Sequence, residues 1–251
     1  MRASEHGASV AELQSALAEV YEAMQLYDYA LHSYKLAMRN DAKSGAAVAG
    51  VGRVLCSQGR FEEAIELLSE GAKRLPNDGR IQLQLGLAYR DFRLDGPAVG
   101  ALKKAVELTP ADKTAYPPLL ELLDRAKAPA AELVGLLAKA ATALPDDQAI
   151  ALRYGKTAHE LKRYDEAQKA LRRVLDMEPS HVEAGFLLGM TLLQQGNLQA
   201  ARDSADVLKY LDAAKADELA QAIAKAEGKG EEKPPAKLKP KAKRKPKKKR
   251  R

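Results

Sequence analysis

Four prolines, Pro76, Pro110, Pro145 and Pro179, recur at intervals of 34, 35 and 34 residues. A period of this size marks units that cannot shelter their own apolar side and must stack on their neighbours, which restricts the chain to a repeat architecture. The unit is clearest in residues 59–78, GRFEEAIELLSEGAKRLPND. Gly59 sits where a preceding helix must end and turn. Phe61, Ala64, Leu67, Leu68 and Ala72 fall at helical spacing and predict one apolar helix face. Pro76 then stops the helix, because its ring blocks continuation and its backbone has no N–H to give.

Read with this period, residues 1–10 are a flexible lead-in. Six helical hairpins follow at 11–44, 45–78, 79–112, 113–147, 148–181 and 182–215. The first is expected to pack through Leu13, Leu17, Val20 and Tyr21 on one helix and Tyr27, Ala30, Leu31, Tyr34 and Ala37 on the other. The fourth is degenerate. It has one extra residue, Pro117 and Pro118 delay its first helix, and Pro129 is expected at the first helical position of its second. The eighth position of the other five reads Ala18, Gly52, Gly86, Gly155 and Gly189, and the twentieth reads Ala30, Ala64, Ala98, Ala167 and Ala201. Small residues in facing columns let two helix axes approach, with Val51, Leu55 and Leu68 filling the seam of the second hairpin. Residues 216–227, ADELAQAIAKAE, read as a helix capping the last hairpin, with self-association as the other reading.

Leu85, Gly86, Tyr89, Ala98, Leu102, Ala105 and Pro110 of the third hairpin, and their equivalents elsewhere, resemble the tetratricopeptide repeat family over about residues 11–215. No hairpin has that family's tryptophan at position four, where Gln14, Val48, Gln82, Tyr116, Ala151 and Gly185 stand instead. The resemblance implies an all-α, right-handed α-solenoid of about six repeats that holds a partner peptide in a concave groove lined by the first helices. Carried onto this sequence, its groove positions give Glu12, Glu19 and Glu22, then Arg53 and Cys56, then Arg80, Gln84, Arg90 and Asp91. Glu121, Asp124 and Arg125 follow, then Arg153, Lys156, His159 and Glu160, and finally Phe186, Met190 and Leu193. The expected groove runs from an acidic end through a basic middle to an apolar end. Its ligand contacts would be Arg53, Arg80, Gln84, Arg90, Arg125, Arg153, Lys156, Phe186 and Met190, with the guanidinium groups suited to carboxylates. The competing reading is a merely solvated face. The lysine–asparagine clamp that some members use for chaperone C-termini is not matched.

The formal net charge of +7 hides a segregation. Residues 228–251 carry 13 Lys and Arg against two Glu, and the rest of the chain carries 28 basic against 32 acidic side chains. A mildly acidic body therefore bears a basic tail, GKGEEKPPAKLKPKAKRKPKKKRR, too polar to bury surface and expected to be disordered. Lys243, Arg244, Lys245, Lys247, Lys248, Lys249, Arg250 and Arg251 would meet an anionic partner: DNA, RNA or a membrane face, or none if the tail only keeps the chain soluble. No aromatic residue is interleaved, so base stacking is not supported.

No catalytic, cofactor or metal motif is legible. The four histidines are scattered, and the one cysteine, Cys56, reads as a small apolar filler. The expectation is a non-enzymatic scaffold without a cofactor. The alternative is a nucleic-acid-associated protein held by its tail. One cysteine, no secretory signal and no apolar run of membrane length place it in the cytoplasm, or in the nucleus of a eukaryote.

Overall fold

The computed structural model describes residues 2–231. Among these are thirteen α-helices, one short 3-10 turn and no strand. The chain divides into two compact units, Met1–Met177 and Glu178–Arg251. The first holds α1 (Arg2–Ala23), α2 (Tyr27–Asn40), α3 (Gly45–Ser57), α4 (Phe61–Arg74), α5 (Gly79–Asp91), α6 (Asp95–Leu108), the 3-10 turn Lys113–Ala115, α7 (Tyr116–Arg125), α8 (Ala130–Ala143), α9 (Gln148–Glu160) and α10 (Tyr164–Met177). The second holds α11 (Val182–Gln194), α12 (Leu198–Leu208) and α13 (Ala213–Glu231). The fold is all-α, and within each unit every helix packs on its neighbours in sequence. No helix among the described residues is long and apolar enough to cross a membrane.

Local chemistry cuts the helices to length. Ser44, Asp78 and Asp147 stand just before α3, α5 and α9, and each side chain accepts a backbone N–H of the first turn. This satisfies donors that have no partner within the helix. Pro76, Pro110, Pro145 and Pro179 each follow the last residue of α4, α6, α8 and α10 by two residues. Between the two helices of every hairpin one residue adopts positive φ: Gln25, Gly59, Arg93, Lys127, Lys162 and Gly196, always the fifteenth of its repeat. The next residue's N–H then reaches back to the carbonyl five residues earlier, as in Leu26 to Tyr21, Arg60 to Leu55 and Ala128 to Leu123. That bond closes the helix end as a Schellman turn. The degenerate fourth hairpin turns in the same way as the regular ones.

The small columns pack as their sizes dictate. A Cβ on Gly52, Gly86 or Gly155 would lie 2.5, 2.6 or 2.7 Å from Leu68, Leu102 or Leu171. The glycines of position eight thus accept a leucine of the second helix, and the alanines of position twenty lie fully buried beside them. In the second unit Gly189 faces Leu219 of α13, which packs on α11 and α12 through Ala216, Leu219 and Ile223.

Four expectations are corrected. Residues 2–10 are not a lead-in, since α1 is helical from Arg2. Leu13, Leu17 and Val20 do not enter the core but are 68%, 42% and 55% exposed. The buried face of α1 is Ala11, Ser15 and Ala18, whose short side chains allow close approach to α2 and α3. Pro129 is the N-cap of α8 with extended ψ, one residue before the helix proper. Finally, α13 begins at Ala213 and carries helix to Glu231, outside the expected bounds of 216–227 at both ends. Pro117 and Pro118 do sit in the first turn of α7, which starts three residues later in its repeat than α3 or α5 in theirs. Tyr116, fully buried at position four, holds that helix by donating its hydroxyl to the Pro110 carbonyl at 2.8 Å.

Candidate peptide-binding face

Of the nine residues expected to contact a ligand, Arg53, Arg80, Gln84, Arg90, Arg125, Arg153 and Lys156 belong to the first unit, and Phe186 and Met190 to the second. Lys243 to Arg251 of the tail lie outside the described residues. In the first unit α1, α3 and α5 pack side by side, so their solvent faces form a continuous strip.

Arg53 is the best-defined group on that strip. Its Nε and Nη2 donate to the Glu22 carboxylate at 2.6 and 2.7 Å, and Nη2 also donates to the Tyr34 hydroxyl at 2.9 Å. Tyr34 in turn donates to Glu22 at 3.2 Å. One cluster thereby ties α1, α2 and α3. It exists because position six of the second hairpin is Gly50, where a Cβ would lie 2.4 Å from the Tyr34 ring. The hydrogen bonds that Arg53 donates to Glu22 outweigh burial and hold its guanidinium charged, with its pKa above the ordinary value. Burial, reinforced by Glu22, pushes the Tyr34 phenol up, so it remains a donor.

The other arginines are engaged in the same manner. Arg80 donates through Nε and Nη2 to Asp78 at 3.1 and 2.7 Å. Burial alone would raise the Asp78 pKa, but the Arg80 guanidinium and the backbone donors of α5 bring it below its usual value. Arg90 donates to Asp91 at 2.8 Å, and Arg125 reaches Asp95 of α6 at 3.0 Å. Arg153 of α9 forms a two-pronged pair with Asp124 of α7. Every arginine of the expected groove is therefore bound by a carboxylate of its own chain. These arginines form neutralised pairs, so a ligand carboxylate meets none of them unengaged.

The remaining groups fill in around these pairs. Gln84 is half-buried on α5 and Lys156 is exposed on α9. Cys56 is half-buried on α3, and its thiol is pushed up to about 11 by burial and then by Asp91. Burial lowers the His159 imidazole, whose ring stands edge-on to Tyr164 at 5.7 Å. In the second unit Phe186 and Met190 are half-buried on α11, and the Lys215 ammonium sits 4.4 Å from the Phe186 ring centre.

Sequence reasoning overlooked Tyr34, Asp78 and Asp95 as partners of these cations. The available signal was an acid 29 to 31 residues before an arginine, one repeat less a helical turn, as in Glu22–Arg53, Asp95–Arg125 and Asp124–Arg153. It also overlooked an open cleft of about 600 Å³ where α6, the end of α7 and the start of α8 meet. Val99, Leu122, Leu123 and Ala128 floor it, and the Arg125–Asp95 pair stands on its rim.

Models of the tetratricopeptide repeat match residues 21–85 and 152–227. No curated protein matches the chain by sequence. Among solved structures, the Naa15/Naa10 complex bound to HypK-THB is similar over 88% of this chain and 35% of that one, with a TM-score of 0.65 and 19% identity. PilF of Pseudomonas aeruginosa is similar over 86% of this chain and 99% of its own, with a TM-score of 0.54 and 15% identity. YrrB, a TPR protein with an unusual peptide-binding site, is similar over 68% and 88%, with a TM-score of 0.47 and 20% identity.

Proposed function

Because this chain belongs to the tetratricopeptide repeat family, we propose that it is a non-enzymatic scaffold that seats a segment of a partner protein against its first helices. The observation that carries this reading is the fixing of Arg53 by Glu22 and Tyr34 and of Arg153 by Asp124, each across two neighbouring repeats. Long side chains held in one geometry lose little freedom when a ligand arrives, so a polar surface built this way is pre-organised for peptide groups. Arg90, Arg153 and Lys156 would contact acidic or amide groups of the partner. Phe186 and Met190 would serve an apolar side chain in the second unit.

The test is crosslinking and mass spectrometry from native extract, with the wild-type chain and an Arg90→Gln/Arg153→Gln/Lys156→Gln variant. Loss of partners at unchanged helicity is expected. An unaltered partner set would remove the first-helix face from consideration.

A second reading rests on the charge segregation. The body to residue 227 carries a net −4 and residues 228–251 a net +11. Lysines and arginines in such density release counterions from a polyanion without reading its sequence. Binding to arbitrary DNA or heparin should fall steeply with salt and disappear on truncation after residue 227. Equal binding without those residues would exclude this reading.

A further inference from the structure

Helix α1 is apolar on two opposite faces. Its inner face, Ala11, Ser15 and Ala18, is buried on the hairpin. Its outer face carries Val10, Leu13, Leu17, Val20 and Met24, which are 42%, 68%, 42%, 55% and 61% exposed. These five large apolar side chains are spaced three, four, three and four residues apart, the spacing of a two-helix seam.

We propose that this outer face is a self-association surface, on which two copies of the chain pair antiparallel through α1. Several observations favour a second copy as the occupant. Between Val10 and Met24 the residues bordering the seam are Gln14, Ala16, Tyr21 and Ala23, all uncharged, so over this stretch two identical helices can approach without setting like charges against each other. The nearby acids stay out of the seam: Glu12 and Glu19 flank it at a distance of one further position, and Glu22 is held by Arg53 on the opposite side. Residues 232–251 hold one large apolar side chain, Leu238, and so offer no apolar sequence to match the stripe. The patch also continues past the helix end through Leu26 and Tyr29, which are 38% and 62% exposed. Tyr29 is braced by the Tyr21 ring at 5.5 Å. Together these groups offer on the order of 500 Å² per copy, so a pair would bury about 1,000 Å², the lower bound for a specific interface. A reversible dimer is the form that fits such an area.

The test is sedimentation equilibrium of the full chain across the micromolar range. The wild type should rise from the mass of one chain towards two. A Leu13→Glu/Leu17→Glu variant should remain at one, with association weakened at least ~10-fold. Both side chains stand in solvent, so the variant keeps its helicity. Tyr210→Glu, at a 92% exposed position in the second unit, should leave the dimer intact. A wild type that stays monomeric throughout would assign the stripe to a different partner and overturn the proposal. So would a dimer that survives Leu13→Glu/Leu17→Glu.

Discussion

Gly86 and Gly100 lie in the two helices of one hairpin and should answer the same substitution with opposite signs. At Gly86 a methyl group would meet Leu102 Cγ at 2.6 Å and the Leu102 backbone nitrogen at 3.1 Å. Gly86→Ala is expected to lower stability by about 1–2 kcal/mol, overpacking outweighing the gain in helix propensity. At Gly100 no atom lies within 4 Å of such a methyl. Gly100→Ala should raise stability by up to ~1 kcal/mol. Urea denaturation of both variants decides the matter. Lys162 offers a complementary case. Its φ of 59° places a side-chain-bearing residue where glycine sits in the second and sixth turns. Lys162→Gly should therefore stabilise by roughly 0.5 kcal/mol, the relief of left-handed strain exceeding the added freedom of the unfolded chain.

Between elements, the Glu22–Arg53–Tyr34 cluster joins three helices, whereas the Arg60–Glu63 pair joins two residues of a single turn. The Glu22 side chain is 17% exposed, and those of Arg60 and Glu63 are 42% and 58% exposed. A double-mutant cycle of Glu22→Gln and Arg53→Met should return a coupling of about 1–2 kcal/mol. The corresponding cycle on Arg60 and Glu63 should return a smaller one, because water and salt screen both partners. This contrast also marks how far the elements were legible in the sequence. Prolines at a fixed period, and small residues in the eighth and twentieth columns, name the hairpins because those residue types act through the backbone and through size. The orientation of α1 was not legible, because Leu13, Leu17 and Val20 repeat at the same spacing as Ala11, Ser15 and Ala18. Hydrophobicity favours the leucines, and only the narrow gap to α2 and α3 selects the alanines. The turn at position fifteen was hidden for a related reason: Gln25, Arg93, Lys127 and Lys162 adopt a conformation that their identities do not advertise. The arginines of the groove were found by family position, but their partners lay on neighbouring helices.

For the whole molecule, acid should act in two steps of the same sign. The His159 pKa is depressed by burial below its ordinary 6.5, so the unfolded chain takes up a proton first. The stability this provides is present at neutral pH and is lost as pH falls from about 6.5 through the folded value. The Asp78 carboxyl also titrates lower in the folded chain than its ordinary 3.8. Its contribution is present above that value and lost as pH falls further. Melting temperature should thus decline from pH 7 to 5 and again below pH 4. His159→Gln should flatten the first decline and leave the second. The engaged arginines have one more consequence, for how a ligand would be chosen. An incoming acid that takes the place of Glu22 at Arg53 makes the event an exchange in which the tally of ionic contacts before and after is equal. Added electrolyte weakens both sides of such a trade alike. Capture on this face should then be nearly indifferent to ionic strength and should discriminate by shape, whereas any capture by the terminal lysines should collapse in brine.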